Sequence, residues 1–110
     1  MNIDFSQMIT AADKQAKQEQ ALRDAFKLAR AAAVKAITVT TASGQVFDGD
    51  ETSQGRMARA ILGLESADEG ATVRWVLHDN TAVDVGAPEL REALALAGQA
   101  QADLWVQPQG

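Results

Sequence analysis

"VFDGDETSQGRMARAI", residues 46–61, decides how this chain is built. Two aspartates, Asp48 and Asp50, stand one residue apart between a short apolar run and a longer apolar period. Such a stretch reads either as a calcium loop or as the junction between a strand and a helix. A calcium loop needs oxygen ligands at positions 1, 3 and 5, a glycine at 6 and a bidentate carboxylate at 12. Counted from Asp48, position 6 is Ser53 and position 12 is Arg59, a cation where the carboxylate must stand. The loop fails at both decisive places, and the junction reading remains. A strand ends at Phe47, Asp48 and Gly49 turn the chain, and Asp50 or Thr52 caps a helix running to about Leu64. Acidic groups there also suit the positive end of the helix dipole.

Upstream, residues 10–36 read as one long helix with no glycine or proline inside it. Thr10 is a suitable N-cap, with Asp13 three residues later. The first half, "DKQAKQEQ", is polar on every side and has nothing to bury. Beyond it, Leu22, Phe26, Ala29, Ala33 and Ile37 recur at steps of four and three and form one apolar stripe. The polar half is expected to project or to lie against a partner. The stripe does not sustain three heptads, so self-association through this helix is open rather than encoded as a coiled coil.

The period then changes. "ITVTT", residues 37–41, is β-branched throughout, "ASG" is a turn, and "QVF", residues 45–47, is the returning strand. Downstream of the junction helix, with Met57, Ile61, Leu62 and Leu64 on or near one face, the same grammar repeats. "TVRWVL", residues 72–77, and "TAVDV", residues 81–85, are strands around the turn "HDN". Pro88 suits the first turn of a last helix running toward Leu104, with Leu90, Leu94, Ala97, Gln101 and Leu104 or Trp105 along one side. Gly98 weakens that helix and can bend it. The expected architecture is α+β. A long N-terminal helix precedes two hairpin–helix units, whose strands form one four-stranded antiparallel sheet packed on helices. In domain terms, residues 1–36 are an extension and long helix, 37–106 a compact unit and 107–110, "QPQG", a loose tail.

The composition narrows the function. The chain has 110 residues, net charge −5 and no cysteine. Disulfides, thiolate catalysis and cysteine-bound zinc are excluded. No basic face of the kind that neutralises phosphates stands out, so nucleic acid is not an expected partner. No run approaches the roughly 18 apolar residues of a membrane span, and the N-terminus lacks the basic and apolar regions of a secretory signal. The expected location is therefore a cytoplasm. His78, the only histidine, lies at a turn beside Asp79. As a general base it would need a nucleophile, and no recognisable one is near in sequence. No cofactor or metal motif occurs. Arg56 and Arg59 share one helix face, where they can meet an acidic partner or pair locally with Asp48, Asp50 or Glu51. Trp75 reads as a core anchor, and Trp105 as either a core anchor or an interface residue.

Three stretches together resemble a known family: "VFDGDETSQGRMARAI", "WVLHDNTAVDV" and "ELREALALAGQAQADLWV". It is a small domain of unknown molecular function found in phage and prophage tail-fibre and tail-assembly proteins. The resemblance spans about residues 34–106, with a long helix ahead of it as is common there. Gly55 departs from the pattern, where a polar residue such as asparagine is expected. The resemblance implies a non-enzymatic role in tail-fibre assembly, as a chaperone for a fibre protein or as a virion component attached to the fibre. Its location would be the host bacterial cytoplasm or the virion tail. It supplies no catalytic residue. Asp48, Asp50, Thr52 and Gln54 are expected to build the junction. Leu22, Phe26, Arg56, Arg59 and Trp105 are the expected partner-binding residues.

Overall fold

The computed structural model describes residues 5–106, with side chains from residue 13 onward. Along the chain run α1 (Phe5–Lys35), β1 (Thr38–Thr40), β2 (Val46–Asp48), α2 (Glu51–Glu65), β3 (Thr72–Val76), β4 (Ala82–Gly86) and α3 (Ala87–Val106). The architecture is α+β, as the change of period implies. The tail at residues 107–110 lies outside the described residues.

The strands do not join into the expected four-stranded sheet. They form two antiparallel hairpins, β1–β2 and β3–β4, each a two-stranded ladder. The hairpins meet edge to edge through one backbone hydrogen bond, from His78 N–H to the Val46 carbonyl at 3.0 Å. The reason lies in strand length. β1 and β2 have three residues each, and the chain turns at Leu77–Asn80 just where the edges touch. There is no room for a second bond of the ladder.

Both turns use left-handed backbone where it is cheapest. Gly44 closes the first hairpin at φ 89°, and Asn80 the second at φ 68°. Asparagine tolerates that region better than other residues with a side chain.

The core sits between the hairpins and the pair α2–α3. Phe47, Met57, Leu90, Ala93 and Ala97 are wholly buried, and Val85 almost so. Val34, at the end of α1, and Ile37, just beyond it, join the same cluster, and Trp75 packs at its margin. Leu62 departs from the expected inward face. It is 65% exposed, because Met57, Ile61 and Leu64 already fill the side of α2 that meets α3.

The long helix begins at Phe5, five residues before the expected cap at Thr10. Nothing between Phe5 and Thr10 breaks a helix, so the favourable cap is passed over. Every described side chain of α1 from Asp13 to Ala25 is exposed. A compact chain of this length has a radius of gyration of about 13 Å, whereas this one measures 22.2 Å and extends 84 Å along its longest axis. The difference is α1 standing away from the body.

Candidate partner-binding site

Asp48 and Asp50 have different roles at the junction. The strand runs through Asp48, one residue further than the sequence suggests, and the Gly49 amide extends the pairing by donating to the Ile37 carbonyl at 2.8 Å. Gly49 is buried, and a methyl group on it would stand 2.6 Å from Ile37 Cγ2 and 3.0 Å from Ala97 Cβ. The turn is glycine because α3 and the first hairpin leave no space. Asp50 holds the N-cap position in extended backbone, but its carboxylate makes no capping hydrogen bond. Thr52 lies inside the helix and does not cap it.

Gln54 secures the junction instead. Its amide nitrogen donates to the Gly49 carbonyl at 2.9 Å and to Gln101 Oε1 at 2.7 Å. Gln101 in turn donates to Glu51 Oε1 at 2.8 Å. One chain of hydrogen bonds thus ties the start of α2 to the last third of α3. At the other end of the same helix pair, Arg91 reaches Glu65 at 3.3 Å.

The tip of the first hairpin is held by the first two turns of α3. Glu89 Oε2 accepts from the Thr41 hydroxyl at 2.8 Å and from the Ser43 hydroxyl at 2.5 Å, and Glu92 accepts from the Ala42 amide at 2.7 Å. Thr41 is 3% exposed, so its hydroxyl needs such a partner. Neither glutamate stands out in the sequence, because each partner lies some 50 residues away.

His78 does not face Asp79. Its Nδ1 lies 2.6 Å from Asp48 Oδ1, across the seam between the hairpins. Asp79 accepts the Thr81 amide at 3.0 Å. Hydrogen bonding from the Thr81 side chain, followed by that from the Thr81 backbone, holds the Asp79 carboxyl below its ordinary pKa of 3.8. Among the described residues no group of three or more His, Asp or Glu could hold a metal ion.

The expected partner-binding residues do not form one patch. Leu22 is 58% exposed on the free length of α1, with Phe26 half-buried one turn on. Arg56 and Arg59 are exposed on α2, and among the described residues neither forms an ion pair with Asp48, Asp50, Glu51 or any other carboxylate. Arg59 lies back over Gly55, within 3.3 Å of where a Cβ would stand. Trp105 is exposed at the end of α3, with the Arg30 guanidinium 4.6 Å from its ring centre. This contact is a cation–π pair. Arg30, Lys27, Lys35 and Val34 of α1, with Trp105 and the first residues of α2, line a groove of about 450 Å³. The sequence reading missed Arg30, although it stands four residues after Phe26 on the helix.

A family model matches residues 12–106, from within α1 to the end of α3. The chain belongs to the family described as "Domain of unknown function (DUF4376)". The DUF4376 match covers most of the free helix, both hairpins, the junction and the groove together. No curated protein and no solved structure matches the chain.

Proposed function

We propose that this DUF4376 protein is a non-enzymatic phage tail-fibre assembly protein that binds a fibre protein as a chaperone. The reading rests on the resemblance of "VFDGDETSQGRMARAI", "WVLHDNTAVDV" and "ELREALALAGQAQADLWV" to the domain found in tail-fibre and tail-assembly proteins. The observation in the structure that supports it best is α1. A 31-residue helix stands largely clear of its own body and presents Leu22 and Leu28, 58% and 73% exposed, to solvent. An isolated helix gains little from propensity alone, and most helices in proteins are stabilised by packing. This one has surface left to pack. A fibre protein awaiting trimerisation exposes apolar surface and strand edges prone to wrong pairing, and a small protein with a free helical arm can cover them.

The second reading makes the protein a structural component that stays on the mature fibre or tail. The same arm serves either role. The test is an affinity pull-down of tagged protein from an infected or induced lysate, beside a mass-spectrometric inventory of purified particles. Capture of a fibre protein with absence from particles supports the chaperone. Presence in particles at a fixed ratio to the fibre supports the structural role. Recovery with no fibre protein in either sample overturns both.

A further inference from the structure

The groove between α1, the start of α2 and the end of α3 has a chemistry of its own. Its apolar lining comes from Trp105, Val34 and Ala31, and its cations from Lys27, Arg30 and Lys35. None of those three cations forms an ion pair among the described residues. The Arg30 Nε–H is buried and meets no acceptor among the described residues, although Asp50 and Glu51 line the same groove. A buried donor left without an acceptor is costly and calls for an explanation. The Glu51 carboxylate is engaged by Gln101, and Asp50 does not bridge the first amides of α2. The Arg30 guanidinium meanwhile stands over the Trp105 ring, 4.6 Å from its centre, and this cation–π contact helps to order the arginine before anything binds.

The charge of the surroundings selects the occupant. Residues 36–110 hold eleven of the fifteen acidic residues and four of the ten basic ones. The groove sets three cations against the two carboxylates of Asp50 and Glu51, which leaves it positive on an acidic molecule, with Glu51 already engaged by Gln101. A polyanion would be repelled by the body. A single carboxylate joined to a bulky apolar side chain satisfies both the cations and the apolar wall. A polypeptide C-terminus ending in such a residue carries both, and capture of a terminal carboxylate is a known mode of peptide recognition. The volume falls within the range of sites that enclose small ligands.

We propose that this groove binds the C-terminal carboxylate of a partner polypeptide whose last residue is large and apolar. Arg30 and Lys35 receive the carboxylate, and Trp105 and Val34 the side chain. The proposal rests on the partner-binding reading above and specifies one contact by which the partner is held.

The test uses the full chain, labelled with ¹⁵N, and the peptide acetyl-Ala-Leu-Phe with a free C-terminus. The Arg30 Nε–H and Trp105 indole N–H resonances are followed during titration. Both are expected to shift together and saturably. The C-terminal amide of the same peptide is expected to bind at least tenfold more weakly, and Lys35→Gln to weaken the free acid severalfold. Arg30→Gln should remove the response while the circular dichroism stays that of the parent. Lys35→Gln serves as the readout if Arg30→Gln does not fold. No shift at millimolar peptide overturns the proposal. So does an equal response to the amide, or to sodium acetate alone, which marks an adventitious ion only. A fibre protein captured from lysate together with a silent groove would remove this contact and leave the proposed function standing. A responsive groove with no fibre protein captured would do the reverse.

Discussion

Gly49 and Ala97 approach so closely that a methyl group on the glycine would stand 3.0 Å from the Ala97 Cβ. The strand-to-helix junction is thus pressed directly onto α3, and the smallest residue of the "DGD" turn sets the distance. Ile37 closes the other side at 2.6 Å. Gly49→Ala should therefore cost about 1–3 kcal/mol, the range for overpacking a tight site. Gly98, one residue beyond Ala97, has nothing within 4 Å of where a Cβ would stand. Gly98→Ala should stabilise by about 0.5–1 kcal/mol, the difference in helix propensity. Urea denaturation of the two variants should give opposite signs. Two losses would mean that α3 packs differently.

The Gln54–Gln101 bond carries the second prediction. A hydrogen bond of this kind contributes about 0.5–1.5 kcal/mol net; the second bond of Gln54, to the Gly49 carbonyl, is part-buried, whereas that of Gln101, to Glu51, is exposed. Gln54→Ala should cost more than Gln101→Ala. The double variant should cost less than the sum, with a coupling of about 0.5 kcal/mol or more between contacting residues. Strict additivity in a double-mutant cycle would show that the two amides do not bond in solution.

Asp79 gives a pH dependence whose sign is fixed. Its carboxyl is held below 3.8 in the fold by the Thr81 side chain and the Thr81 amide. The unfolded chain therefore takes up this proton first as pH falls. The contribution to stability is fully present above the unfolded value and is lost as pH drops below it through the folded one. Asp79→Asn keeps an oxygen acceptor for the Thr81 amide and removes the titration. Comparing urea midpoints at pH 7 and pH 3, the parent should lose more than this variant. Equal losses would remove Asp79 from the acid response.

His78 tests the non-enzymatic reading. The side chains of His78 and Asp48 are each about half exposed, 56% and 51%, so the pair should be worth no more than about 1 kcal/mol. The backbone bond from His78 N–H to Val46 survives substitution. His78→Ala should keep its fold and its full activity in a fibre-assembly assay. Loss of activity with the fold intact would give His78 a chemical role and sink the reading.

Much of the fold was legible because each element announces its own period. β-Branched residues 37–41, the glycine turn and the apolar steps Met57, Ile61 and Leu64 are local signals, and they mark the elements to within a few residues. What stayed hidden is long-range and polar. Nothing near Gln54 points to Gln101, nothing near His78 points to Asp48, and Glu89 gives no sign that it holds Thr41 and Ser43. The four-stranded sheet failed for a related reason. Two hairpins with apolar inner faces are compatible with one sheet, but three-residue strands ending at a turn leave only one hydrogen bond between them. At the candidate site, Trp105 was visible as a residue with two readings. Its partner Arg30 was not, since proximity of α1 to the end of α3 is a property of packing.

The arm carries the last prediction. Leu22 is mostly exposed, and Phe26, though half-buried, is not part of the core cluster that holds Val34 of α1 and Ile37 just beyond it. Replacing both with aspartate should preserve the helical circular dichroism and lower the urea midpoint less than a core substitution does, since the cost is helix propensity, up to about 0.7 kcal/mol per site, and the partial burial of Phe26. If the arm covers apolar surface on a fibre protein, the same change places two charges in that interface. A charge buried there without a partner is strongly unfavourable, so capture of the fibre protein should fall at least tenfold. A Val34→Asp variant serves as the contrast, because Val34 is 6% exposed in the core cluster and its substitution should lower stability by several kcal/mol. A Leu22→Asp, Phe26→Asp chain that folds and still assembles fibres would move the partner surface off the free length of α1, leaving the Trp105 groove at the base of that helix to be tested.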